Sequence, residues 1–247
     1  MTEKNAFGGV TVLVLAVNET ESLRQTVLTL EQVLSPDDTA KILIYYPPWI
    51  TADCEAVINE LAAECFPIAV RPEQQISSDR AECIMRVIRN EKDATHLLVW
   101  ASDGEVASEK AALLVGAAKE DPWALVKFSR MMKGGSQPAG KNPFLKARDR
   151  AFCLLARARL RADITDALFM AYVLFPLAPF DSFDLTEAGM GILIEILAFF
   201  SRLGIRFIEF PVRAAPRAEA KSNVRLKQKF QAFFFLLRLG KANRRGR

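Results

Sequence analysis

The chain of 247 residues contains a single histidine, His96. It lies in the apolar run of residues 96–100, which predicts a buried strand, and there the expected role is a hydrogen-bonded histidine of the core. Histidine is the side chain most often used for general acid–base catalysis. Because the only histidine is expected in the core, such chemistry must fall mainly to carboxylates.

Cysteine pairs and long apolar runs are also missing. The four cysteines form no Cys-x-x-Cys pair, which argues against a zinc knuckle and, without a secretory signal, against a disulfide scaffold. We therefore expect a reducing, cytoplasmic location, with a peripheral position at the inner face of the membrane as an open alternative. Spanning a bilayer takes roughly 20 apolar residues, and no transmembrane helix is predicted.

Hydrophobic residues make up 51% of the chain, which is ample for a sizeable core. Strand-like apolar runs alternate with helical patterns, and this alternation predicts an α/β fold with a mainly parallel sheet and helices on both faces. A proline in the last strand predicts an edge position. Strands are predicted over residues 10–17, 41–46, 68–70, 96–100, 124–129 and within 204–212, and helices over 19–34, 52–63, 80–90, 108–119, 144–160 and 189–203.

The chain is expected to divide into one α/β domain over residues 1–223 and a C-terminal extension over 224–247. Residues 213–247 contain eleven Lys or Arg and one acid, Glu219, which indicates an anionic partner such as phosphates or an acidic membrane. Residues 225–247 project as a basic amphipathic helix with Phe230, Phe233, Leu236 and Leu237 on its apolar side. This helix suits an anionic membrane surface, packing against its own domain, or a partner subunit.

The predicted strand at residues 96–100 leads into an acid, a glycine and a second acid. Ligands of open α/β sheets bind beyond the carboxyl ends of strands, so Asp103 and Glu105 are placed to hold a divalent metal ion and, through it, a phosphorylated ligand. Oxygen ligands suit both magnesium and manganese. The competing interpretation is a polar turn after a buried strand, for which Asp-Gly is common.

Further motifs follow in a fixed order over residues 10–223. They are Val14–Glu19 at a strand end, Ser102–Glu105, Ser129-Arg130 with Lys133–Gly135 in a long loop, Asp166, Gly189–Glu195, and Arg217–Ser222. In order and spacing they resemble the family 2 glycosyltransferases, in particular the branch of dolichyl- and polyprenyl-phosphate sugar transferases. This resemblance implies the GT-A fold, a Rossmann-like sheet flanked by helices.

The chain departs from the family pattern at four places. Leu15 stands where a proline precedes Asn-Glu, Ala101 replaces the first aspartate of Asp-x-Asp, and Ala220 replaces a glycine. Residues 45–49, Tyr-Tyr-Pro-Pro-Trp, stand where the family has acids that help hold the base and ribose of the nucleotide. The metal and nucleotide motifs are therefore degenerate.

The resemblance implies transfer of a sugar from a nucleotide-sugar donor to a polyprenyl phosphate, a glycan or another small acceptor, with inversion at the sugar. The departing diphosphate develops negative charge, which a divalent cation neutralises as a Lewis acid. Asp103 is the first candidate ligand and Glu105 the second. Asn18 and Glu19 are expected beside the nucleotide, although asparagine and an acid also suit an ordinary helix start.

Basic residues are the candidates for holding phosphate oxygens of donor or acceptor. They are Arg130, Lys133, Arg217 and Lys221, and the resemblance adds Asp166 and Ser222 to the acceptor side. Taken singly, each basic residue also fits a solvated surface charge. Glu195 lies in an apolar helix where an unpaired acid is costly to bury, so we expect it to orient Arg217 or to act as base toward a hydroxyl acceptor.

We therefore predict a metal-assisted glycosyltransferase of the hexosyltransferase type. Asp103, Glu195, Arg217 and Ser222 occur together in matching order, which favours an enzyme. The alternative is a glycosyltransferase-like protein without turnover that serves as a binding or scaffolding subunit, and Ala101 favours it. The basic tail permits nucleic-acid binding, but no recognised module supports it, and no nucleic-acid partner is expected.

Overall fold

The computed structural model describes residues 6–74, 80–139, 142–182, 190–217 and 233–238. Strands and helices alternate along this part of the chain. The strands are β1 (Val10–Leu15), β2 (Thr39–Tyr46), β3 (Val70–Gln74), β4 (His96–Ala101), β5 (Leu125–Ser129), β6 (Tyr172–Pro176) and β7 (Phe207–Pro211). The helices are α1 (Glu21–Val33), α2 (Ala52–Ala63), α3 (Arg80–Asn90), α4 (Ala111–Glu120), α5 (Pro143–Leu160) and α6 (Met190–Arg202).

The seven strands form one sheet in the order β3-β2-β1-β4-β6-β5-β7. β6 runs antiparallel to both of its neighbours, and the other described strand pairs are parallel. The mainly parallel α/β sheet predicted from the sequence is confirmed, and β7 lies at an edge as its proline predicted. The carboxyl ends of six strands therefore meet at one edge of the sheet.

The core lies on both faces of this sheet. β1 and β4 are buried at every position because their apolar side chains alternate between the two faces. Helices α1, α2 and α4 cover one face, and helices α3, α5 and α6 cover the other. The sheet thus forms the central layer, and its loops are left at the edges.

Four elements differ from the sequence predictions. β6 was not predicted at all, and β3 is Val70–Gln74 rather than residues 68–70. The first turn of the helix predicted over 108–119 is a 3-10 turn, Ser108–Lys110. Helix α1 begins at Glu21 because the Glu19 carboxylate accepts backbone hydrogen bonds from Val17 and Asn18 and closes a turn ahead of it.

Only residues 233–238 of the C-terminal extension are described, and they are helical. Leu236 is fully buried and belongs to the same core cluster as residues of α5 and α6, whereas Phe233 and Phe234 are 37% and 55% exposed. Phe230 and most of the basic tail lie outside the described residues, so the division at residues 223 and 224 stays a prediction. Within the described ranges, no helix combines the length and the apolar character needed to cross a membrane.

Candidate active site

The carboxyl ends of β1 and β4 lie side by side, with Leu15 opposite Ala101. Ser102, directly after β4, donates a hydrogen bond from its hydroxyl to the carbonyl of Leu15 at 3.1 Å. The hydroxyl of Ser22, at the start of α1, donates to the carbonyl of Ser102 at 2.8 Å. These bonds fix the backbone that follows β4 against the end of β1.

Asp103 and Glu105 follow at this edge and are buried, with 3% and 8% of their surface exposed. Gly104 between them has a φ of 69°, in the left-handed region that favours glycine. The amide of Glu105 donates to Oδ1 of Asp103 at 3.1 Å. The Asp-Gly turn expected from the sequence is therefore present, and it brings both carboxylates to the same edge.

Tyr172 of β6 orients Asp103. Its hydroxyl donates to Oδ1 of Asp103, the oxygen that also accepts from the Glu105 amide. Burial raises the pKa of Tyr172 well above its ordinary value, and the charge of Asp103 raises it further, so the hydroxyl remains protonated as a donor. Sequence reasoning missed Tyr172 because it missed β6, although the apolar run of residues 172–176 was a usable signal.

Arg217 lies between the two carboxylates. Its Nε is 3.1 Å from Oδ2 of Asp103 and 3.5 Å from Oε2 of Glu105. The first contact is an ion pair by distance, and among the described residues Oδ2 of Asp103 has no hydrogen-bond partner. Arg217 is therefore close to Asp103, with its guanidinium facing both carboxylates.

Arg130 approaches the same cluster from the end of β5. Its Nη1 is 3.9 Å from Oε1 of Glu105, and its Nε donates to Oδ2 of Asp166 at 2.8 Å. The guanidinium also lies 4.1 Å from the centre of the Phe169 ring. Arg130 is thus held on two sides, by a carboxylate and by an aromatic face.

Asp166 is fully buried, and the positive charges of Arg130 and Lys127 stabilise its carboxylate. Burial raises the pKa of its carboxyl, but the hydrogen bond from Arg130 and the charges of Lys127 and Arg130 outweigh burial and lower the pKa below its ordinary value. The fully buried Lys127 donates from Nζ to the Asp166 carbonyl and lies 3.4 Å from Glu209. Lys127 and Glu209 were not singled out from the sequence.

The surroundings of Glu105 disfavour its charged form. Burial raises its pKa above the ordinary value and the charge of Asp103 raises it further, while Arg217 and Arg130 act in the opposite direction. Two buried carboxylates so close together attract a cation. The guanidinium of Arg217 supplies positive charge beside both carboxylates.

The donor set fits a divalent cation in part. No group of three or more His, Cys, Asp or Glu side chains within the described residues is arranged to hold a metal ion. Magnesium, however, usually takes only one or two carboxylates from a protein and fills its other positions with substrate phosphates and water. The buried Oδ2 of Asp103, which is ion-paired with Arg217, and the adjacent carboxylate of Glu105 would meet that requirement if Arg217 moved away.

Asn18 and Glu19 lie at the end of β1 with structural contacts. The Glu19 carboxylate accepts from the amides of Val17 and Asn18 at 2.7 and 3.0 Å. Oδ1 of Asn18 accepts from the amide of Thr51, the N-cap residue of α2, at 2.9 Å. Asn18 does not cap α1, whose N-cap is Thr20, so that part of the helix-start alternative is wrong.

The remaining candidates are more dispersed. Lys133 is exposed in the loop after β5, and Glu195 is buried on α6. The carboxylates against Arg217 are those of Asp103 and Glu105, so the structure provides no support for Glu195 as its orienting partner. Lys221 and Ser222 lie outside the described residues.

Two of the positions that depart from the family pattern, Ala101 and Tyr45, have defined surroundings in the structure, whereas Ala220 lies outside the described residues. Ala101 is 2% exposed and belongs to the core. At the end of β2, where acids were expected, the hydroxyl of Tyr45 donates to Oε2 of Glu73 on β3 at 2.6 Å. The neighbouring strand thus contributes a carboxylate to this corner of the sheet edge.

No protein-family model matches the sequence, and no curated protein gives a significant match. Solved structures do share the fold, among them glucosyl-3-phosphoglycerate synthase from Mycobacterium tuberculosis in complex with uridine diphosphate. That structure has a TM-score of 0.66 and 15% identity, over 94% of this chain and 80% of the other.

Two further complexes of the same synthase have the same fold as this chain. The complex with Mn²⁺, uridine-diphosphate-glucose and phosphoglyceric acid has a TM-score of 0.67 at 15% identity, over 94% of this chain and 80% of the other. The complex with Mn²⁺, uridine diphosphate and glucosyl-3-phosphoglycerate has a TM-score of 0.65 at 16% identity, with the same coverage. The chain therefore has the GT-A-like, Rossmann-like fold that the sequence predicted.

Proposed function

We propose that this protein is a nucleotide-sugar-dependent glycosyltransferase that uses a divalent cation, magnesium or manganese. The observation that carries the proposal is the pair of buried carboxylates, Asp103 and Glu105, facing Arg217 at the carboxyl end of β4. Ligands of open α/β sheets bind at this edge. Solved structures of the same fold hold Mn²⁺ and uridine-diphosphate-glucose, which supports the same ligand class here.

Each residue of the cluster has a defined part in this proposal. Asp103 and Glu105 hold the cation, which when bound neutralises charge on the diphosphate as a Lewis acid. The hydroxyl of Tyr172 donates a hydrogen bond to Oδ1 of Asp103, which leaves Oδ2 as the oxygen that would bind the cation. Asn18 and Glu19 close the end of β1 beside the nucleotide.

Arg217 exchanges partners when the donor binds. In the structure its guanidinium compensates the two carboxylates, and a divalent cation held by Asp103 and Glu105 would supply that positive charge instead. The guanidinium is then free to donate to phosphate oxygens of the donor, where arginine makes strong, directional hydrogen bonds. Lys221 and Ser222 are proposed to extend this phosphate contact.

The acceptor side is proposed to lie toward Arg130 and Lys133. Arg130 is fixed by Asp166 and Phe169 and faces Glu105, which suits an anionic acceptor. The similar synthase is solved with phosphoglyceric acid, a small anionic acceptor, and the resemblance of the sequence to the polyprenyl-phosphate branch suggests a lipid phosphate. An ionised phosphate needs no base, whereas a hydroxyl acceptor would assign that role to Glu195. Inversion at the sugar follows from the family resemblance.

A binding protein without turnover is the second candidate. Ala101 replaces a family aspartate with a core residue, and Tyr45 with Glu73 replaces the acids of β2. Such a protein would bind the nucleotide sugar but would neither transfer nor hydrolyse it. Turnover of a bound nucleotide sugar therefore separates the two candidates.

The proposal is tested by thermal unfolding with a panel of nucleotide sugars, with and without Mn²⁺. A ligand that binds the native state raises the melting temperature. We expect stabilisation by at least one uridine-diphosphate sugar, greater when Mn²⁺ is present. If no nucleotide sugar changes the unfolding temperature under either condition, the proposal is wrong.

Asp103→Asn is the matched test of the cation site. Asparagine keeps an acceptor oxygen for Tyr172 and the Glu105 amide but removes the charge, so we expect the fold to persist while Mn²⁺-dependent stabilisation and transfer are lost. Circular dichroism checks the fold. Transfer activity equal to that of the wild type would remove Asp103 from the site.

A further inference from the structure

Helix α5 has two apolar faces, although only one of them packs on the sheet. The inner face carries Asp149, Cys153, Ala156 and Leu160, all of which are buried. On the opposite side, apolar residues recur with alternating spacings of three and four. They are Phe144, Ala147, Ala151, Leu154 and Ala158. This spacing places them in one stripe along the outer face of the helix.

The outer stripe of α5 is open to solvent. Phe144 is 75% exposed and Leu154 is 68% exposed, and the three alanines are exposed as well. A single exposed apolar side chain on a protein surface is ordinary, but a continuous exposed stripe marks an interaction site. Two large side chains spaced along 18 residues make this stripe such a site.

Basic residues border the stripe on both sides. Helix α5 and its C-cap residue Arg161 contain six Lys or Arg and one acid, Asp149, which is buried. Projected at helical period, one row contains Lys146, Arg150, Arg157 and Arg161, and the other contains Arg148 and Arg159. Long basic side chains beside an apolar strip can direct their charges toward a polar boundary while their stems cover apolar surface.

The same layer of the molecule carries most of the other exposed apolar side chains. Of the seven large apolar residues that are strongly exposed in the described chain, five belong to α5, to the residue after α6 or to the helical segment 233–238. They are Phe144, Leu154, Leu203, Phe233 and Phe234. These elements cover one face of the sheet, whereas Leu113 lies on α4 over the other face.

We propose that the outer face of α5 binds the surface of membranes that contain anionic lipids. The apolar stripe enters the boundary between headgroups and acyl chains, and the two basic rows contact lipid phosphates. Along the chain, the helix follows the loop that begins at Arg130. The proposal concerns a surface and does not depend on transferase activity.

Charge and shape favour a membrane over a second copy of this chain. Two copies of α5 would bring basic rows against basic rows, which is repulsive. Three of the five stripe positions are alanine, so the stripe lacks the closely packed aromatic and arginine anchors of stable protein interfaces. A lipid surface requires no such complementary shape, and its negative charge matches the rows.

The test is sedimentation of the full chain with vesicles of phosphatidylcholine alone and with vesicles of phosphatidylcholine and phosphatidylglycerol in equal parts. We expect binding to the anionic vesicles only, weakened but not abolished by high salt. The double variant Phe144→Ser with Leu154→Ser should bind the anionic vesicles at least about tenfold more weakly than the wild type, because two apolar anchors are removed. Both side chains are exposed, so circular dichroism and melting temperature should be unchanged.

Matched controls lie on the other face of the sheet. Leu113→Ser removes an exposed apolar residue of α4 and should leave vesicle binding unchanged. Arg150→Gln with Arg157→Gln should weaken binding, whereas Lys110→Gln with Lys119→Gln, at α4, should not. The proposal is wrong if the wild type does not sediment with anionic vesicles, or if the serine double variant binds as the wild type does. Sedimentation equilibrium that shows a dimer lost in that variant would instead identify an interface between copies.

Discussion

Arg217 stands between Asp103 and Glu105 in the place that a bound cation would take. Arg130, by contrast, has its own carboxylate partner in Asp166 and reaches Glu105 only at 3.9 Å. The two arginines therefore have different tasks in the proposed site. Under the proposed function Arg217 would leave the two carboxylates to a cation, whereas Arg130 would keep its pairing with Asp166.

Replacement of Arg217 tests its two proposed roles independently, one as a contact to phosphate and the other as a partner of the two carboxylates. Arg217→Gln should weaken binding of uridine diphosphate by about 1.5–3 kcal/mol, the range for a hydrogen bond to a charged group, and make binding less salt-dependent. The same variant should bind Mn²⁺ alone more tightly, because the competing guanidinium is gone. Isothermal titration calorimetry with each ligand measures both effects.

Arg206→Gln is the control for Arg217→Gln, since Arg206 is mostly exposed and pairs with Asp121 at 3.2 Å. It should change neither titration. Unchanged nucleotide affinity in Arg217→Gln would contradict its role as a phosphate contact, and unchanged Mn²⁺ affinity would contradict the exchange of partners.

Asp166 governs stability at acid pH. Asp166→Asn leaves the Arg130 guanidinium without its buried counter-charge, and breaking a buried pair in this way costs about 3–5 kcal/mol. The native pKa of Asp166 lies below its unfolded value, so the native state binds fewer protons. Its contribution is present above the ordinary carboxyl pKa and is lost as the pH falls through the native pKa.

Urea unfolding over a series of pH values measures this effect. The wild type should lose stability on acidification more steeply than Asp166→Asn, which lacks the titrating group. Asp163→Asn removes an exposed partner of Arg157 and should change little, since surface ion pairs contribute little. Parallel acid profiles for the wild type and Asp166→Asn would show that the Arg130 pair does not titrate as the structure indicates.

Elements were predictable from sequence where their signals were local. β1 and β4 are apolar runs buried on both faces, and the sequence shows this directly. β6 was not predicted because its place depends on pairing with distant strands. Val173 of β6 pairs with Val99 of β4, 74 positions earlier in the chain, and with Lys127 of β5, 46 positions earlier. The missed strand carries Tyr172, so an essential part of the candidate site was missed with it.

The loop after β5 depends on a close backbone approach. A side chain at Gly135 would place its Cβ 2.6 Å from the carbonyl oxygen of Ser129, closer than atoms can pack. Gly135→Ala should therefore displace the loop that carries Lys133 and lower the free energy of unfolding by about 1–3 kcal/mol, as for overpacking in a core. Urea unfolding and nucleotide titration measure the two consequences.

Gly116→Ala is the matched control for Gly135→Ala. Gly116 lies in α4 with nothing within 4 Å of the position its Cβ would take, so alanine should stabilise the helix by about 0.5–1 kcal/mol. Destabilisation of both variants would show a general cost of replacing glycine, and an unchanged Gly135→Ala would mean that the loop is not held against β5.

At the scale of the whole molecule, the C-terminal extension contributes to the core. Leu236 is fully buried, and Phe235 packs against the same cluster as α6. The amphipathic pattern predicted an apolar side but left its partner open. Part of that side, at Leu236, faces the domain itself, while Phe233 and Phe234 remain exposed.

Leu236→Ala should lower the free energy of unfolding by about 2–5 kcal/mol, the range for truncating a buried leucine. Phe234→Ala, at an exposed position of the same segment, should change it little. Removal of residues 225–247 should reduce stability by at least as much as Leu236→Ala. If chemical unfolding shows no loss of stability for Leu236→Ala or for the chain without residues 225–247, the extension does not contribute to the core.

The sequence by itself determined the sheet's parallel character, the order of most elements and the Asp-Gly turn after β4, because apolar periodicity and turn chemistry act between near neighbours. The tertiary structure alone decided that Tyr172 and Arg217 meet Asp103, that Arg130 pairs with Asp166, and that Leu236 joins the core. These contacts join residues far apart in the chain. They form only when the sheet edge brings several strands and loops together, and no local pattern encodes that meeting.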